Sequence, residues 1–543
     1  MARLALGLDS STQSLTAVAV DLDNREIVYQ KSLDYLAESQ LSKFGINSNY
    51  ILPPQEKGEA KQPVVMFFSS LDVIFRNLSR DFPSLGLDVK DIRVINTSGQ
   101  QHGHVLLNRG AESCFTNLHD PPAGEELVGL LEPGLAVPFA RIWRTANTQD
   151  EASMVREAVG GKEAIIELTG SNAPLRFSAF GIRKTALGYP AEYEDTEIIH
   201  QISSLVPAVL AGKVKIPLDY GNACGTSLMD YRARTWSKEL IKAVSSGMPG
   251  GAEALAAKLP ALASGLAVVG KIAPYFTVRY GLSSDCAVAV GSGDNPQTKV
   301  LVEGSLLSLG TSFVIMVETD GKTFDRRGYA NAMYDALDRP FCFGCRTNGA
   351  LRWDGVRAEH GPAKKDYAPG EKALAETSPG NQGRIFLWQA EAESFPVSKA
   401  FEPVRIGYDG KDFAADYAGI IESTLASVYL NSRHFMAPGD LLYVTGGPAG
   451  SPEILRRVAA IWNRTVVPVE AGGAALGAAV SGACAWLLAR SEKLEPGSWC
   501  ASFLRQKKPM EPRKEDVEAY HGEGGYLEMY REVEEKLLTG KFK

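Results

Sequence analysis

"LALGLDSSTQSLTAVAVDLD", residues 4–23, alternates apolar with small or polar positions on either side of a polar cluster, Asp9-Ser10-Ser11-Thr12-Gln13. Period-two alternation of this kind predicts strand, turn, strand, and "EIVYQKSL" (26–33) extends it to a three-stranded antiparallel meander. The pattern returns about half a chain later in "GSLLSLGTSFVIMVETDG" (304–321), where the turn is Gly310-Thr311-Ser312. Two hydroxyl-bearing hairpins at that spacing predict a duplicated fold; the alternative is chance similarity between polar turns.

Downstream the pattern becomes strand and helix in alternation. "DLLYVT" reads as a short strand, "GGPAG" as a turn, and Ser451-Pro452 as an N-cap followed by proline at the first helical position. Ile454, Leu455, Val458, Ile461 and Trp462 then recur at helical spacing, ahead of a further strand, "TVVPVE". Phe413, Tyr417, Ile420, Ile421, Leu425 and Val428 mark another amphipathic helix. The uncharged run from Ala471 to Ala489 approaches a membrane span in length. Its Gly, Ala and Ser content gives weak transfer energy, so a helix buried against a sheet is expected. Segments 51–62, 121–134, 360–382 and 504–515 read as surface loops.

A chain of 543 residues is too long for a single core. Its formal net charge of −7, with both signs interspersed, offers no basic stripe, so neither nucleic acid nor a membrane surface is expected as a partner, and a small molecule is. Seven irregularly spaced cysteines and the absence of a leader-like start point to a cytoplasmic protein with reduced thiols. "PFCFGCRTNG" reads as an apolar strand entering a turn rather than as half a zinc or redox site. The last segment, "GYLEMYREVEEKLL", is an amphipathic helix with Leu527, Tyr530, Val533 and Leu537 on one face; it either packs back on the body or builds a homodimer contact.

Several turns carry groups with chemical use. Asp9 and the following hydroxyls could supply a Mg²⁺ ligand and phosphate donors, or simply close a β-turn. No G-x-x-x-x-G-K-[ST] is present, which excludes a P-loop. Asp294, after "DCAVAVGSG", is either a general base at a strand end or an Asx-turn residue. Gly446 and Gly447 precede a helix where a flat ligand could approach the backbone, or else form a tight turn. Gln100, Gln101 and His102 in "SGQQHGHVLL" (98–107) offer uncharged donors and acceptors of the kind a polyhydroxyl ligand needs; a buried structural histidine, or a metal pair with His104, are the alternatives.

Taken together, "LGLDSSTQSLTAVAVD", "SGQQHG", "SGDNP", "GSLLSLGTS" and "TGGPAGSPE", in this order, resemble the FGGY family of carbohydrate kinases from about residue 4 to about 490. The Gln-Gln-His-Gly variant and "VGGKEAIIELTGSNAPLRF" (159–177) are most similar to the xylulose kinases of eukaryotic type within it. The resemblance implies an α/β fold of two actin/hexokinase-like (ribonuclease H-like) domains with an active-site cleft between them. The implied boundaries are 1–297 for the sugar-binding domain with the first phosphate hairpin, 298–490 for the nucleotide-binding domain, and 491–543 for a tail. It implies Mg-ATP and a ketopentose as substrates. Asp294 would be the base, and His102, Gln101, Arg176 and Asn295 would contact the sugar. Asp9 would serve the metal, with Ser11 and Thr12 on the phosphate side. Gly310, Thr311 and Ser312 would face the phosphates from the second domain, and Gly446, Gly447 and Ser451 would border the adenosine.

The chain departs from the family pattern in two places. Trp143-Arg144-Thr145 replaces Trp-x-Asp, removing a carboxylate that can sit near the sugar, and "DYGNACG" near Asp219 replaces a Ser-Gly-rich version. Both leave open a kinase for another polyol, such as ribulose or ribitol; an actin-like ATP-binding protein without sugar chemistry is the rival of a different class.

Overall fold

The computed structural model describes residues 2–361, 366–436, 439, 441–470 and 472–541. The chain forms two compact units: Met1–Glu303 with Met333–Pro340 and Gly472–Phe503, and Gly304–Ala332 with Phe341–Ala471 and Leu504–Lys543.

In the first unit the expected meander forms as Leu4–Ser10, Ser14–Asp21 and Glu26–Asp34, each antiparallel to the next. Ile92–Gly99 adds parallel to Leu4–Ser10, and Ala287–Ala289 parallel to Ile92–Gly99. The second unit repeats this order. Pro340–Arg346, Phe313–Glu318 and Ser305–Leu309 are the antiparallel three; Leu441–Thr445 and Thr465–Pro468 add in parallel on the other side of Ser305–Leu309. The duplication suggested by two hairpins therefore extends to five strands in each sheet.

The Gly/Ala/Ser run folds as the helix Gly473–Ala489 and packs on Leu4–Ser10 and Ile92–Gly99; Ala471 lies outside the described residues. Its composition is explained by proximity. A methyl added at Gly7 would stand 1.9 Å from the Ala475 carbonyl oxygen, and one at Gly477 1.9 Å from that of Gln297. Ser481 ties the packing together, accepting from Asn96 Nδ2 (2.9 Å) and donating to Gln297 Oε1 (2.7 Å). This helix belongs with the first unit, although the sequence grouped it with residues 298–490. Among the described residues no helix is long and apolar enough to cross a membrane.

Two segments read as loops hold structure. Helix Ala368–Glu376 lies within 360–382, and Leu127–Leu131 within 121–134. Charge and proline mask both, because their apolar residues are too few to set a period. The C-terminal helix Tyr526–Leu538 packs back on the second unit. Tyr526, Leu527, Tyr530 and Val533 are buried, and Glu534 accepts from Asn431 Nδ2 (3.0 Å). Lys514–His521 is fixed by a two-pronged Arg456–Asp516 pair (2.6 and 2.7 Å).

Candidate active site

Three strands of the first unit run parallel and end together. Their register pairs Asp9 with Ser98 and Ser98 with Ser292, then Ser10 with Gly99 and Gly99 with Gly293. The turns beyond these carboxyl ends carry Ser11 and Thr12, Gln100 to His102, and Asp294 with Asn295. Ligands of open α/β sheets bind just outside such ends.

Asp294 opens the short helix Asp294–Lys299, and its Oδ1 accepts from the Asn295 backbone N–H (2.8 Å) and side-chain amide (3.1 Å). Protein surrounds it on most sides while part of its surface stays reachable. Burial first, and the Asp9 charge second, push its carboxyl up to about 7. Asp9 accepts from the Ser98 hydroxyl (2.7 Å) and is itself raised by burial. A carboxyl brought near neutral pH by desolvation and a like charge has the property a general base needs.

Beside it the Gln-Gln-His turn is held by hydrogen bonds. Gln101 accepts from Asn295 Nδ2 (2.9 Å) and donates to the Gly221 carbonyl (3.3 Å). Gly293 is required here, since a Cβ would meet Gln101 Cγ at 2.2 Å. His102 adopts φ 69°, stacks on Phe177 with ring centres 4.5 Å apart, and contacts the Gly225 carbonyl through Nδ1 at 2.8 Å. A carbonyl only accepts, so Nδ1 carries the proton and Nε2 presents a lone pair. Burial and the nearby Arg176 lower the ring to about 3, so it is neutral at pH 7. The turn thus supplies polar groups without charge, as its composition led us to expect.

Asp219 lies beneath this turn. It caps Tyr220–Ala223, receives Asn222 Nδ2 (2.6 Å) and the Ser292 hydroxyl, and is raised to about 7 by burial. The "DYGNACG" departure therefore supports the floor of the turn, because Gly221 provides the carbonyl that Gln101 contacts. Thr12 is more committed than its sequence suggested: it accepts from Trp143 Nε1 (2.8 Å) and donates to Gln100 Oε1 (3.2 Å). Ser11 donates to the Ser14 carbonyl (3.0 Å). Thr145, where a carboxylate was expected, is buried and donates to the Ala60 carbonyl (3.1 Å).

In the second unit, Gly310, Thr311, Gly447 and Ser451 border one cavity of about 600 Å³. Gly446 and Ser312 are not among its lining residues; Gly446 fixes the turn before it, since with φ 102° a Cβ there would stand 2.1 Å from the Leu309 carbonyl oxygen. Ser312 holds the hairpin turn, its carbonyl accepting from the Gly310 N–H (3.2 Å). The far wall was not visible in the sequence. Arg357 lies over the Tyr367 ring (4.2 Å) and near Tyr417 (5.8 Å), paired with Asp354 (2.6 Å). Glu371 accepts from the Ser451 hydroxyl and from the Glu453 N–H (3.1 Å). A cavity of this size, with flat aromatic walls and few polar groups, suits a planar, nucleoside-sized ligand. Among the described residues no cluster of three or more His, Cys, Asp or Glu is placed to hold a metal ion by itself.

The comparisons with known proteins agree with this geometry. The model of the FGGY family of carbohydrate kinases, N-terminal domain, matches residues 136–300. Xylulose kinase 2 of Arabidopsis thaliana is 27% identical over 516 residues, covering 91% of this chain and 89% of its own. A probable D-xylulose kinase A of Aspergillus fumigatus is 28% identical over 546 residues, covering 93% and 91%. The crystal structure of xylulose kinase from Rhodospirillum rubrum superposes with a TM-score of 0.79 at 16% identity, over 99% of both chains, and so shares the two-domain actin/hexokinase-like fold. With the five-strand pattern repeated in the two sheets and the ordered motifs, these matches make the chain similar to the FGGY family of carbohydrate kinases over nearly its whole length, and residues 136–300 match that family's N-terminal domain.

Proposed function

We propose that this kinase transfers the γ-phosphate of ATP to the C5 hydroxyl of D-xylulose, giving D-xylulose 5-phosphate. The observation that carries the reading is Asp294, raised to about 7 beside an uncharged turn of Gln101, His102 and Asn295; the names of the full-length relatives support the choice of sugar. In this proposal the first unit holds the sugar and the second the nucleotide, with Gly310, Thr311, Ser312, Gly446, Gly447 and Ser451 on the nucleotide. Asp294 accepts the hydroxyl proton as the oxygen attacks. His102 Nε2 accepts from a sugar hydroxyl, while the Gln101 and Asn295 amides and the Arg176 guanidinium fix the ketose. Phosphoryl transfer of this kind depends on positioning and charge stabilisation more than on covalent catalysis.

Two largely buried carboxylates, Asp9 and Asp294, that repel one another fit a nucleotide-borne Mg²⁺, which keeps waters and takes one or two carboxylates besides phosphate. Asp9 would hold it, and it would neutralise phosphate charge. Buried, unbridged thiols such as Cys224, Cys286 and Cys484 support a cytoplasmic setting.

The test is ADP production with Mg-ATP across D-xylulose, D-ribulose, L-ribulose, ribitol, glycerol and no sugar. Turnover chiefly with D-xylulose is expected. Turnover chiefly with another polyol would move the substrate and keep the mechanism, a second reading favoured by Thr145; turnover independent of sugar would end the kinase reading. A pH profile adds a separate check. Asp294 must be ionised to act, so kcat/KM should rise about tenfold per pH unit below pH 7 and level off above pH 8. A profile flat from pH 5 to 8 would remove Asp294 as the base.

A further inference from the structure

Asp294 opens a helix of only six residues, Asp294–Lys299. A helix so short has little stability of its own, so its place is set by what it packs on. One support is the helix Gly473–Ala489. Gly477 and Ser481 lie four residues apart on one face of it. Gly477 lets the Gln297 backbone come close, and Ser481 holds the Gln297 side chain.

That side chain ends a run of four hydrogen bonds, all donated in one direction. The Gly291 N–H donates to Asn96 Oδ1 (3.0 Å), Asn96 Nδ2 to Ser481 Oγ (2.9 Å), the Ser481 hydroxyl to Gln297 Oε1 (2.7 Å), and Gln297 Nε2 to the Thr97 carbonyl (3.0 Å). The two ends fix the direction. An amide N–H only donates and a carbonyl only accepts, so the Asn, Ser and Gln between them are each held in one orientation. Asn96 is 1% exposed, and Thr97, Gln297 and Ser481 are fully buried. In such surroundings the links reinforce one another, and a broken link leaves its neighbours unpaired.

The run clasps the base from both flanks. Gly291 lies three residues before Asp294 and Gln297 three residues after it. The first flank fits closely: with φ 80°, a Cβ at Gly291 would stand 2.4 Å from both Thr97 Oγ1 and the Ser203 carbonyl oxygen. Between Gly291 and Asp294, Ser292 and Gly293 pair with Ser98 and Gly99 of the strand Ile92–Gly99. The second flank is one helical turn long, so a shift at Gln297 moves Asp294 with it. Every member of the clasp is uncharged, so it acts on Asp294 through position rather than through its charge.

We propose that Asn96, Ser481 and Gln297 are positioning residues for Asp294, locking both its flanks to the strand Ile92–Gly99 and the helix Gly473–Ala489 so that its carboxylate meets the sugar hydroxyl. The proposal rests on the reading of Asp294 as the base. A misplacement of about 1 Å is enough to cost on the order of 10²-fold in rate. The helix Gly473–Ala489, remote from Asp294 in sequence, thereby becomes a working part of the site.

Steady-state kinetics with D-xylulose and Mg-ATP test it, with a melting curve of each variant to establish that it is folded at the assay temperature. Gln297→Met and Ser481→Ala should each lower kcat about tenfold or more in the folded protein. Gln297→Glu supplies a readout that a merely structural role would not move. Protonated, the new carboxyl accepts from Ser481 and donates to the Thr97 carbonyl, as the amide does, so much of the lost kcat should return at pH 7. Ionised, it repels that carbonyl. Burial raises a carboxyl, for glutamates in such sites to about 8–9, so the variant's profile should fall above about pH 9 where the parent stays level. Wild-type kcat in Gln297→Met, whatever its melting temperature, overturns the proposal. If Gln297→Met does not fold, the Glu variant decides: a profile as level as the parent's above pH 9 overturns the proposal equally. Turnover that survives Asp294→Asn rejects the base and the clasp together, whereas turnover lost in Asp294→Asn but kept in Gln297→Met rejects the clasp alone.

Discussion

Asp294→Asn is expected to lower kcat with D-xylulose about 10²–10⁴-fold, the range a positioned general base contributes, while sugar binding persists. The substitution keeps the shape of the side chain and the room for the Asn295 contacts but removes the proton acceptor. It should not destabilise the chain, and the sign can be worked out. The folded pKa is about 7, above the ordinary carboxylate value, because burial and Asp9 penalise the charged form. Folding therefore favours the protonated group: its contribution to stability is present below about pH 4 and is lost as pH rises through 7. The Asn variant should accordingly melt at or above the wild-type temperature at pH 8, with the advantage shrinking toward pH 4. Turnover within threefold of wild type would remove Asp294 from the chemistry, and a melt well below wild type at pH 8 would make its role structural.

Arg457→Met should be the most damaging single change to stability in the second unit. Arg457 is fully buried and binds Glu422 (2.9 Å) and the carbonyls of Leu374 (3.0 Å) and Thr377 (2.8 Å). Burial pushes Glu422 up to about 7, with Arg457 pulling against it. Removing the cation strands a buried carboxyl and two carbonyls, a loss of about 3–5 kcal/mol by analogy with broken buried pairs. It also releases the C-terminal end of Ala368–Glu376, the helix that brings Glu371 to the cavity bordered by Gly447 and Ser451. Replacing both partners, as in Arg457→Met with Glu422→Leu, should recover most of the loss, since apolar side chains of similar volume fill such sites well. Urea denaturation separates the outcomes: a single variant as stable as the parent, or a double variant no better than the single, would show that the pair does not hold this region together.

The residues that were legible in the sequence are those whose chemistry sits in one local motif. Asp9 with its hairpin, the Gln-Gln-His turn and Asp294 with Asn295 each occupy a strand end, and strand ends show in a period of two. The parallel register that brings three of them together is a long-range property and left no local trace. The cavity wall was hidden for a related reason. Arg357, Tyr367, Glu371 and Tyr417 come from three separate segments, and two of these residues fall in a stretch whose charge and proline resembled a loop. Segment 51–62 misled in the opposite sense. Its charged residues include Glu59 and Lys61, 7% exposed each, which the sheet buries as a pair. Charge in a sequence signals solvent only when the charge has no partner inside.

The close fit between Gly7 and Ala475 also bears on how the chain folds as it is made. The first strand leaves the ribosome early, but the helix that covers it emerges roughly 470 residues later, about half a minute to a minute and a half at common elongation rates. Until then one face of the Leu4–Ser10 and Ile92–Gly99 strands is exposed, and the second unit is synthesised in the interval. Contacts of such long separation slow folding. A C-terminal truncation before Gly473 should therefore disable the N-terminal half of the protein, and ribosome-bound chains of that length are natural clients for chaperones.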